Sequence, residues 1–191
     1  MNARTNQAAV ADHRGRKVRL TPNLTVKDSA AYVAIALYKD AAMPTIHFKL
    51  ESQLAPELVL AALTDFGLRR AEIWPNVDSA HFKVHDQGPG WAEVTEGNSV
   101  AGGVWERERY KWDPAAKTVA IETLDSNTWG PGSRWDYRLT PGPGRGTTID
   151  VTVVRNGKGV KGRLIGVALS IAGAGMLRSQ MGQALARART N

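Results

Sequence analysis

The sequence predicts an α+β domain: a curved antiparallel sheet of about seven strands, two short helices after the first strand, and one long C-terminal helix over the concave face. Two patterns predict this class. Short apolar–polar alternations separated by turn residues follow one another from residue 80 to residue 155, which is typical of strands joined by hairpins. The last segment, from Val160 to Arg189, contains no Pro and spaces its apolar residues helically.

Composition narrows the class of protein. The chain has 191 residues, of which 42% are hydrophobic and 23% charged, as in an ordinary globular protein. It has no Cys, which excludes disulfides, thiolate nucleophiles and Cys-based metal sites. No secretory signal is visible near the N-terminus. The longest uncharged apolar stretch, Leu164–Leu177, would span about 21 Å as a helix, less than a bilayer interior of about 30 Å. A cytoplasmic location is therefore expected.

The net charge of +7 is uneven. Residues 1–42 carry seven basic and three acidic residues, residues 43–154 carry 11 basic and 15 acidic, and residues 155–191 carry seven basic and none acidic. The basic character belongs to the ends, so a specific nucleic-acid surface on the domain is not expected. The basic C-terminus leaves open a peripheral contact with an anionic membrane or RNA.

Residues 1–42 are expected to form an extension and residues 43–189 the domain. Residues 1–25 are polar and have few large apolar residues, which predicts disorder, and the Ala-rich segment 26–42 predicts a short helix. An alternative is that translation begins at Met43 and that the first 42 residues are surplus.

The domain elements follow in order. Thr45–Glu51 alternates apolar and polar residues, which predicts a half-buried strand. Pro56 suits the first turn of a helix, and a second short helix over Leu68–Ile73 ends at Trp74-Pro75. The remaining strands are predicted over these segments: Ala80–His85, Trp91–Thr95, Gly103–Trp112, Lys117–Leu124, Ser133–Leu139 and Thr147–Arg155.

This order of elements resembles the helix-grip fold of the START-like superfamily, also called the polyketide cyclase/dehydrase and lipid transport family. The local matches are the first strand leading into Ala55–Leu63, and the segments Ile73-Trp74-Pro75, Trp112-Asp113-Pro114 and Gly146-Thr147-Thr148. The resemblance implies a cavity between the sheet and the C-terminal helix. It implies no catalytic signature, because the superfamily has no universal catalytic motif.

The two-residue period of the strands predicts the cavity wall. On the strand from Ser133 to Leu139, one apolar face is expected to turn toward the helix, and matching faces follow on the neighbouring strands. The predicted ligand-binding residues are Trp135, Tyr137, Leu139, Ile149, Val151, Val119 and Ile121 from the sheet, with Leu164, Ala168 and Ile171 from the helix. Each of these is also interpretable as plain core.

The strand from Trp105 to Trp112 has no apolar face. Glu106 and Glu108 lie on one side, and Arg107 and Arg109 on the other. A charged set turned into the interior costs several kcal/mol unless it is paired or ligated, so this strand supplies candidate catalytic residues. An Arg would bind a ligand carboxylate or phenolate, and a Glu would act as a general base. The sequence leaves the inward face undecided. Tyr137 is a further candidate, since a buried hydroxyl needs a partner.

No metal and no cofactor are expected. His81 and His85 lie about 13 Å apart on a strand, too far to share an ion, and no metal-binding motif is present.

The favoured function is binding or transport of an apolar small molecule, such as a lipid, an isoprenoid or a polyketide-like compound, rather than catalysis. The alternatives are a cyclase or dehydratase acting on a polyketide-like chain, and a protein that associates with membranes or ribosomes.

Overall fold

The computed structural model describes residues 9–11, 17–19 and 43–189. In the extension, strands β1 (Ala9–Ala11) and β2 (Lys17–Arg19) pair antiparallel, with Val10 opposite Val18. Both strands lie within residues 1–25, for which the sequence predicts disorder. The helix predicted over 26–42 lies outside the described residues, and the domain boundary at 42/43 stays a prediction.

The domain contains seven strands and three helices. In chain order they are β3 (Thr45–Ser52), α1 (Pro56–Thr64), α2 (Arg70–Ile73), β4 (Lys83–Gly88), β5 (Trp91–Asn98), β6 (Val104–Asp113), β7 (Thr118–Ser126), β8 (Arg134–Pro141), β9 (Thr147–Val154) and α3 (Gly159–Arg189). The predicted α+β helix-grip architecture is confirmed.

The seven strands form one antiparallel sheet in the order β3-β9-β8-β7-β6-β5-β4. Only β3 leaves the meander, since it pairs with β9 across the full register from Thr45↔Val154 to Ser52↔Thr147. Because every neighbouring pair is antiparallel, β5, β7 and β9 run in the same direction and end at the same edge of the sheet. We call this edge the polar edge, because the buried polar residues Glu96, Thr123 and Arg155 lie toward it.

Local sequence explains the helix boundaries. Pro56 occupies the first turn of α1, where its missing N–H costs nothing. The chain leaves α2 at Trp74, which is extended before Pro75 as the residue before a proline prefers. The predicted strand over Ala80–His85 begins later than expected, because Ser79–His81 form a 3₁₀ turn and β4 starts at Lys83.

The helix α3 lies close to the sheet at two glycines. A Cβ at Gly162 would meet the carbonyl oxygen of Thr128 at 2.1 Å, and one at Gly173 would meet Cδ1 of Ile46 at 3.2 Å. Close packing therefore requires glycine at 162 and favours it at 173. Among the described helices, α3 is the one that is long and apolar enough to cross a membrane, by length and composition alone. Its uncharged stretch by itself is shorter than a bilayer interior.

The hydrophobic core fills the space between the sheet and α1. Val59 and Leu63 of α1 are fully buried, as are Val119, Ile149 and Val151 of the sheet. Beyond α1 the sheet curves away from α3, and the space between them stays open.

Candidate functional site

A cavity of about 510 Å³ lies between the concave face of the sheet and α3. Its apolar wall combines sheet residues such as Phe48 and Ile121 with Leu63 of α1. The helix contributes Ile165, Ala168, Leu169, Ala172, Gly173, Met176, Leu177, Gln180 and Met181. The space required by the helix-grip resemblance is therefore present.

Not all of the predicted sheet residues reach the cavity. Trp135, Tyr137 and Ile121 line it. Leu139, Ile149, Val151 and Val119 do not line it, although all four are buried. They belong to the core, on the side where α1 contacts β7 and β8. Alternation identifies the inward face of a strand but not the position along the strand at which the cavity begins.

The predicted face of α3 is largely wrong. Ala168 lines the cavity, but Leu164 is 43% exposed and Ile171 is 83% exposed. Residues seven apart share one side of a helix, and that side faces outward here. The helix is apolar on nearly all sides between residues 164 and 177. Its hydrophobic pattern therefore does not determine which side faces the sheet.

The inward face of β6 carries the acidic residues. Glu106, Glu108 and Tyr110 line the cavity, whereas Arg107 and Arg109 lie on the convex face and are not part of the site. Arg109 Nη2 lies 2.6 Å from Glu93 Oε2 on β5, and Arg107 Nε lies 2.7 Å from the other oxygen. These hydrogen bonds, first from Arg109 and then from Arg107, lower the pKa of Glu93.

Arg70 of α2 is the first buried cation of the site, with 3% of its surface exposed. Its Nε donates to Glu96 Oε1 over 2.6 Å, and its Nη2 donates to the hydroxyl of Tyr110 over 3.0 Å. Its Nη1 donates to carbonyls at the C-terminal end of α1, the closest being that of Leu63 at 3.1 Å. Arg70 therefore caps α1, whose last carbonyls have no partner within the helix. Burial alone would lower the pKa of Arg70, but Glu96 and Tyr110 raise it.

Arg155 is the second buried cation and lies between two indole rings. Its Nη1 donates to Glu106 Oε2 over 2.7 Å, and that same oxygen accepts a bond from Thr123 Oγ1 over 2.9 Å. The guanidinium carbon lies 4.7 Å from the ring centroid of Trp135 and 5.1 Å from that of Trp129. This geometry is that of a cation–π contact.

Glu108 is the third carboxyl that lines the cavity. It is 5% exposed, and the hydroxyl of Tyr110 lies 3.5 Å from its Oε2. Burial raises the pKa of Glu108 well above 4.5, and the carboxylates of Glu106 and Glu96 raise it further. Burial therefore favours the protonated form of Glu108, while Arg70 pairs with Glu96 and Arg155 pairs with Glu106.

Both tyrosines of the site are phenols at any ordinary pH. Burial raises the pKa of Tyr110 and of Tyr137, and nearby glutamates raise both further. The rings of Tyr137 and Trp135 stack at 6.2 Å with an interplanar angle of 10°. Their side chains join the polar groups of β6 to the apolar wall.

Four members of this cluster were not predicted from the sequence: Arg70, Glu96, Thr123 and Arg155. Three of them extend an inward alternation that begins with apolar residues, as Val151 and Val153 of β9 precede Arg155, which follows the end of that strand. Because β5, β7 and β9 end at the same edge, this shared pattern was a usable signal. Arg70 had no such signal, since its role depends on where α2 packs.

Metal binding finds no support in the described part of the chain, where no group of three or more His, Asp or Glu side chains is arranged to hold an ion. The three cavity glutamates are engaged by arginines or by each other.

Solved structures with this fold are diverse in activity. The Zhui aromatase/cyclase from Streptomyces sp. R1128 has 17% identity and a TM-score of 0.63, with 78% of this chain and 94% of that chain covered. A START superfamily protein from Mycobacterium smegmatis has 13% identity and a TM-score of 0.52, covering 73% and 97%. Norcoclaurine synthase from Thalictrum has 11% identity and a TM-score of 0.53, covering 78% and 97%. These identities establish the fold alone.

A comparison with curated proteins finds no match. The family model described as polyketide cyclase/dehydrase and lipid transport matches residues 43–189, which is the whole domain. The chain therefore belongs to the polyketide cyclase/dehydrase and lipid transport family.

Proposed function

We propose that the protein binds an uncharged apolar small molecule in the cavity, with one oxygen of that molecule directed at Glu108 and Tyr137. The observation that carries this proposal is the pairing of charges in the cavity: Arg70 pairs with Glu96 and Arg155 pairs with Glu106, and a third carboxyl, Glu108, is buried beside them.

The apolar wall supplies the affinity. Burial of apolar ligand surface is worth about 25 cal/mol per Å², and the wall residues Phe48, Ile121, Leu169 and Met181 offer such surface. A few polar groups at one end then orient the ligand.

The polar end selects the ligand's functional group. Arg70 and Arg155 each already have a carboxylate partner, so a ligand carboxylate would add an unbalanced negative charge. A buried charge without a partner costs several kcal/mol. This argues against the carboxylate ligand that the sequence suggested for an arginine in this region. A carbonyl or hydroxyl oxygen instead accepts a hydrogen bond from the protonated carboxyl of Glu108 or from the hydroxyl of Tyr137, since the Tyr110 hydroxyl already donates to Glu96 Oε2 over 3.0 Å.

The test compares probes of equal chain length. We expect dodecanol to bind more tightly than dodecanoate at neutral pH by about tenfold or more, as measured by calorimetry or by displacement of a fluorescent probe. Native mass spectrometry of the purified protein should show a neutral bound molecule. Equal or tighter binding of dodecanoate would overturn the proposal.

Catalysis is the second candidate, and protonated Glu108 favours it. A buried carboxylic acid beside Tyr110 and facing a cavity can donate a proton to a ligand carbonyl. The family includes cyclases and dehydratases by its description. An enzyme of this kind would close a ring on a poly-ketone chain and release water.

Glu108→Gln separates the two candidates, because glutamine keeps a hydrogen-bond donor but has no acidic proton to transfer. A binding protein should keep its dodecanol affinity within about twofold, since one neutral hydrogen bond contributes little net free energy. An enzyme should bind a poly-ketone thioester equally well and lose formation of the dehydrated product, measured by mass spectrometry. If wild type forms no such product, the binding function alone remains.

A further inference from the structure

Two carboxyl groups face the cavity side by side on β6. Glu106 and Glu108 are two residues apart, so their side chains leave the same face of the strand from Cα atoms about 7 Å apart, and both line the cavity. The register between β6 and β7 shifts here, so that Thr123 is the cross-strand partner of Glu108. Its hydroxyl nevertheless donates to Oε2 of Glu106 over 2.9 Å. Thr123 therefore adjoins both side chains, and the two carboxyl groups are near enough to share a hydrogen bond.

The two carboxyl groups have different surroundings. Oε2 of Glu106 accepts hydrogen bonds from Thr123 and, over 2.7 Å, from the guanidinium of Arg155, and a guanidinium partner suits an ionised carboxyl. Glu108 is 5% exposed and lies 3.5 Å from the phenol of Tyr110, and burial favours its protonated form. A carboxylate and a carboxylic acid in contact are a base and an acid that share one proton.

A base and an acid on the same side of a bound molecule suit the addition of water to a carbonyl group. This reaction needs a base at the water and an acid at the carbonyl oxygen. Because the water approaches the carbonyl carbon close to that oxygen, two adjacent carboxyl groups reach both. A displacement at saturated carbon would instead need the two groups on opposite sides of the reacting carbon.

The charges of the cavity favour an ester over its hydrolysis product. Each of the two buried arginines already pairs with a glutamate, so a neutral ester enters without adding an unpaired charge. Hydrolysis yields an acid that ionises at neutral pH, and its carboxylate would be a buried charge without a partner. The product is therefore bound more weakly than the substrate and leaves the cavity.

We propose that Glu106 and Glu108 catalyse the hydrolysis of an apolar carboxylic ester in the cavity. Glu106 takes a proton from water, the water oxygen bonds to the carbonyl carbon, and Glu108 gives its proton to the carbonyl oxygen. The bond to the alkoxy oxygen then breaks, that oxygen takes the proton from Glu106, and Glu108 recovers a proton from a hydroxyl of the tetrahedral adduct. A carboxylic acid and an alcohol result, and both glutamates return to their starting states. This activity rests on the proposed function for the binding of a neutral apolar molecule.

The experiment gives methyl dodecanoate to the full chain at neutral pH in water enriched in oxygen-18. We expect dodecanoate that carries the heavy oxygen, measured by mass spectrometry. Glu108→Gln and Glu106→Gln should each lower kcat by about 100-fold or more, because each removes one partner of the proton transfers. Glu122→Gln is the matched control, since Glu122 is an exposed glutamate on the neighbouring strand β7. It should turn over the ester as wild type does.

Dodecyl methyl ether, which is neutral and resists hydrolysis, separates binding from catalysis. Wild type and both cavity variants should bind it with affinities within about threefold of one another, measured by displacement of a fluorescent probe. Glu106→Gln removes the carboxylate from the ion pair with Arg155, so circular dichroism must show that this variant is folded. If it is unfolded, Glu108→Gln decides the test.

Two results would overturn the inference alone. One is a wild-type protein that binds the ether but forms no dodecanoate, and the other is Glu108→Gln forming dodecanoate at the wild-type rate. Failure of wild type to bind the ether would overturn the proposed binding function, and this activity with it.

Discussion

Nη1 of Arg155 lies 2.7 Å from Oε2 of Glu106, at the end of the cavity where β9 finishes and β6 starts; the Arg155 side chain is buried and that of Glu106 is 13% exposed. Breaking a buried pair by removing one partner costs about 3–5 kcal/mol, because the other charge stays buried. We therefore expect Arg155→Met to lower the free energy of unfolding by about that amount, as measured by urea denaturation.

The double variant Arg155→Met/Glu106→Leu should recover most of the loss, since it leaves no unpaired charge. A double variant no more stable than Arg155→Met alone would show that the pair is not the source of the effect.

Arg70→Lys tests the cap on α1. Lysine keeps the positive charge beside Glu96 but cannot also donate to the Leu63 carbonyl and the Tyr110 hydroxyl. We expect it to lower the free energy of unfolding by about 2 kcal/mol or more. The neighbouring Arg69→Lys is the control, because Arg69 is exposed and only loosely paired with Glu72 at 3.6 Å. Its effect should stay within about 0.5 kcal/mol. Equal effects of the two substitutions on the free energy of unfolding would contradict the assignment of Arg70 as the cap of α1.

Glu108→Gln tests the protonated carboxyl through the pH dependence of stability. Burial raises the pKa of Glu108 in the folded protein above the unfolded value near 4.5, so the folded state holds more protons above that pH. Folding stability attributable to Glu108 is therefore complete below pH 4.5 and is lost as pH rises toward the folded pKa, by up to about 1.4 kcal/mol per pH unit.

The glutamine variant cannot lose a proton at this position. Its free energy of unfolding, relative to wild type, should rise as pH is raised from about 5 to 8. Glu122→Gln, on the convex face, should follow wild type at every pH. A wild-type-like pH profile for Glu108→Gln would mean that the group is ionised in the folded protein.

Leu169→Ala and Ile171→Ala test which side of α3 faces the ligand. Leu169 lines the cavity, whereas Ile171 is exposed. Loss of the leucine side chain from the wall should weaken dodecanol binding by about tenfold, measured by calorimetry. The Ile171 change should leave affinity unaltered. The reverse result would place the cavity on the other side of the helix.

The order of the elements and the meander of consecutive strands could be predicted from the sequence because they depend on local patterns; the pairing of β3 with β9 is long-range and does not follow from such patterns. The alternation over Ile149, Val151 and Val153 identifies the inward face of β9, and the turn residues fix its neighbours. The extent of the cavity could not be predicted, since Tyr137 and Leu139 share one face of β8 and only the former lines it.

The orientation of β6 could not be predicted for a different reason. Both of its faces are charged, so the face that turns inward depends on ion pairs with residues outside β6. Arg107 and Arg109 pair with Glu93 on the convex face, and Glu106 pairs with Arg155 at the cavity. The side of α3 that faces the sheet could not be predicted either, because apolar residues lie all around the helix axis. Only packing against the sheet determines which of these residues face the sheet.

The shared ending of β5, β7 and β9 separates two roles along each strand. Apolar side chains near α1 form the core of the domain, and polar side chains toward the ends of these strands form the polar edge: Glu96, Thr123 and, directly after β9, Arg155. Substitutions confined to those terminal positions and Glu108 would alter the chemistry offered to a guest while leaving the packing beneath α1 untouched. The scaffold is thus suited to redesign by small combinatorial libraries, in which charge-balanced combinations are the ones to select first.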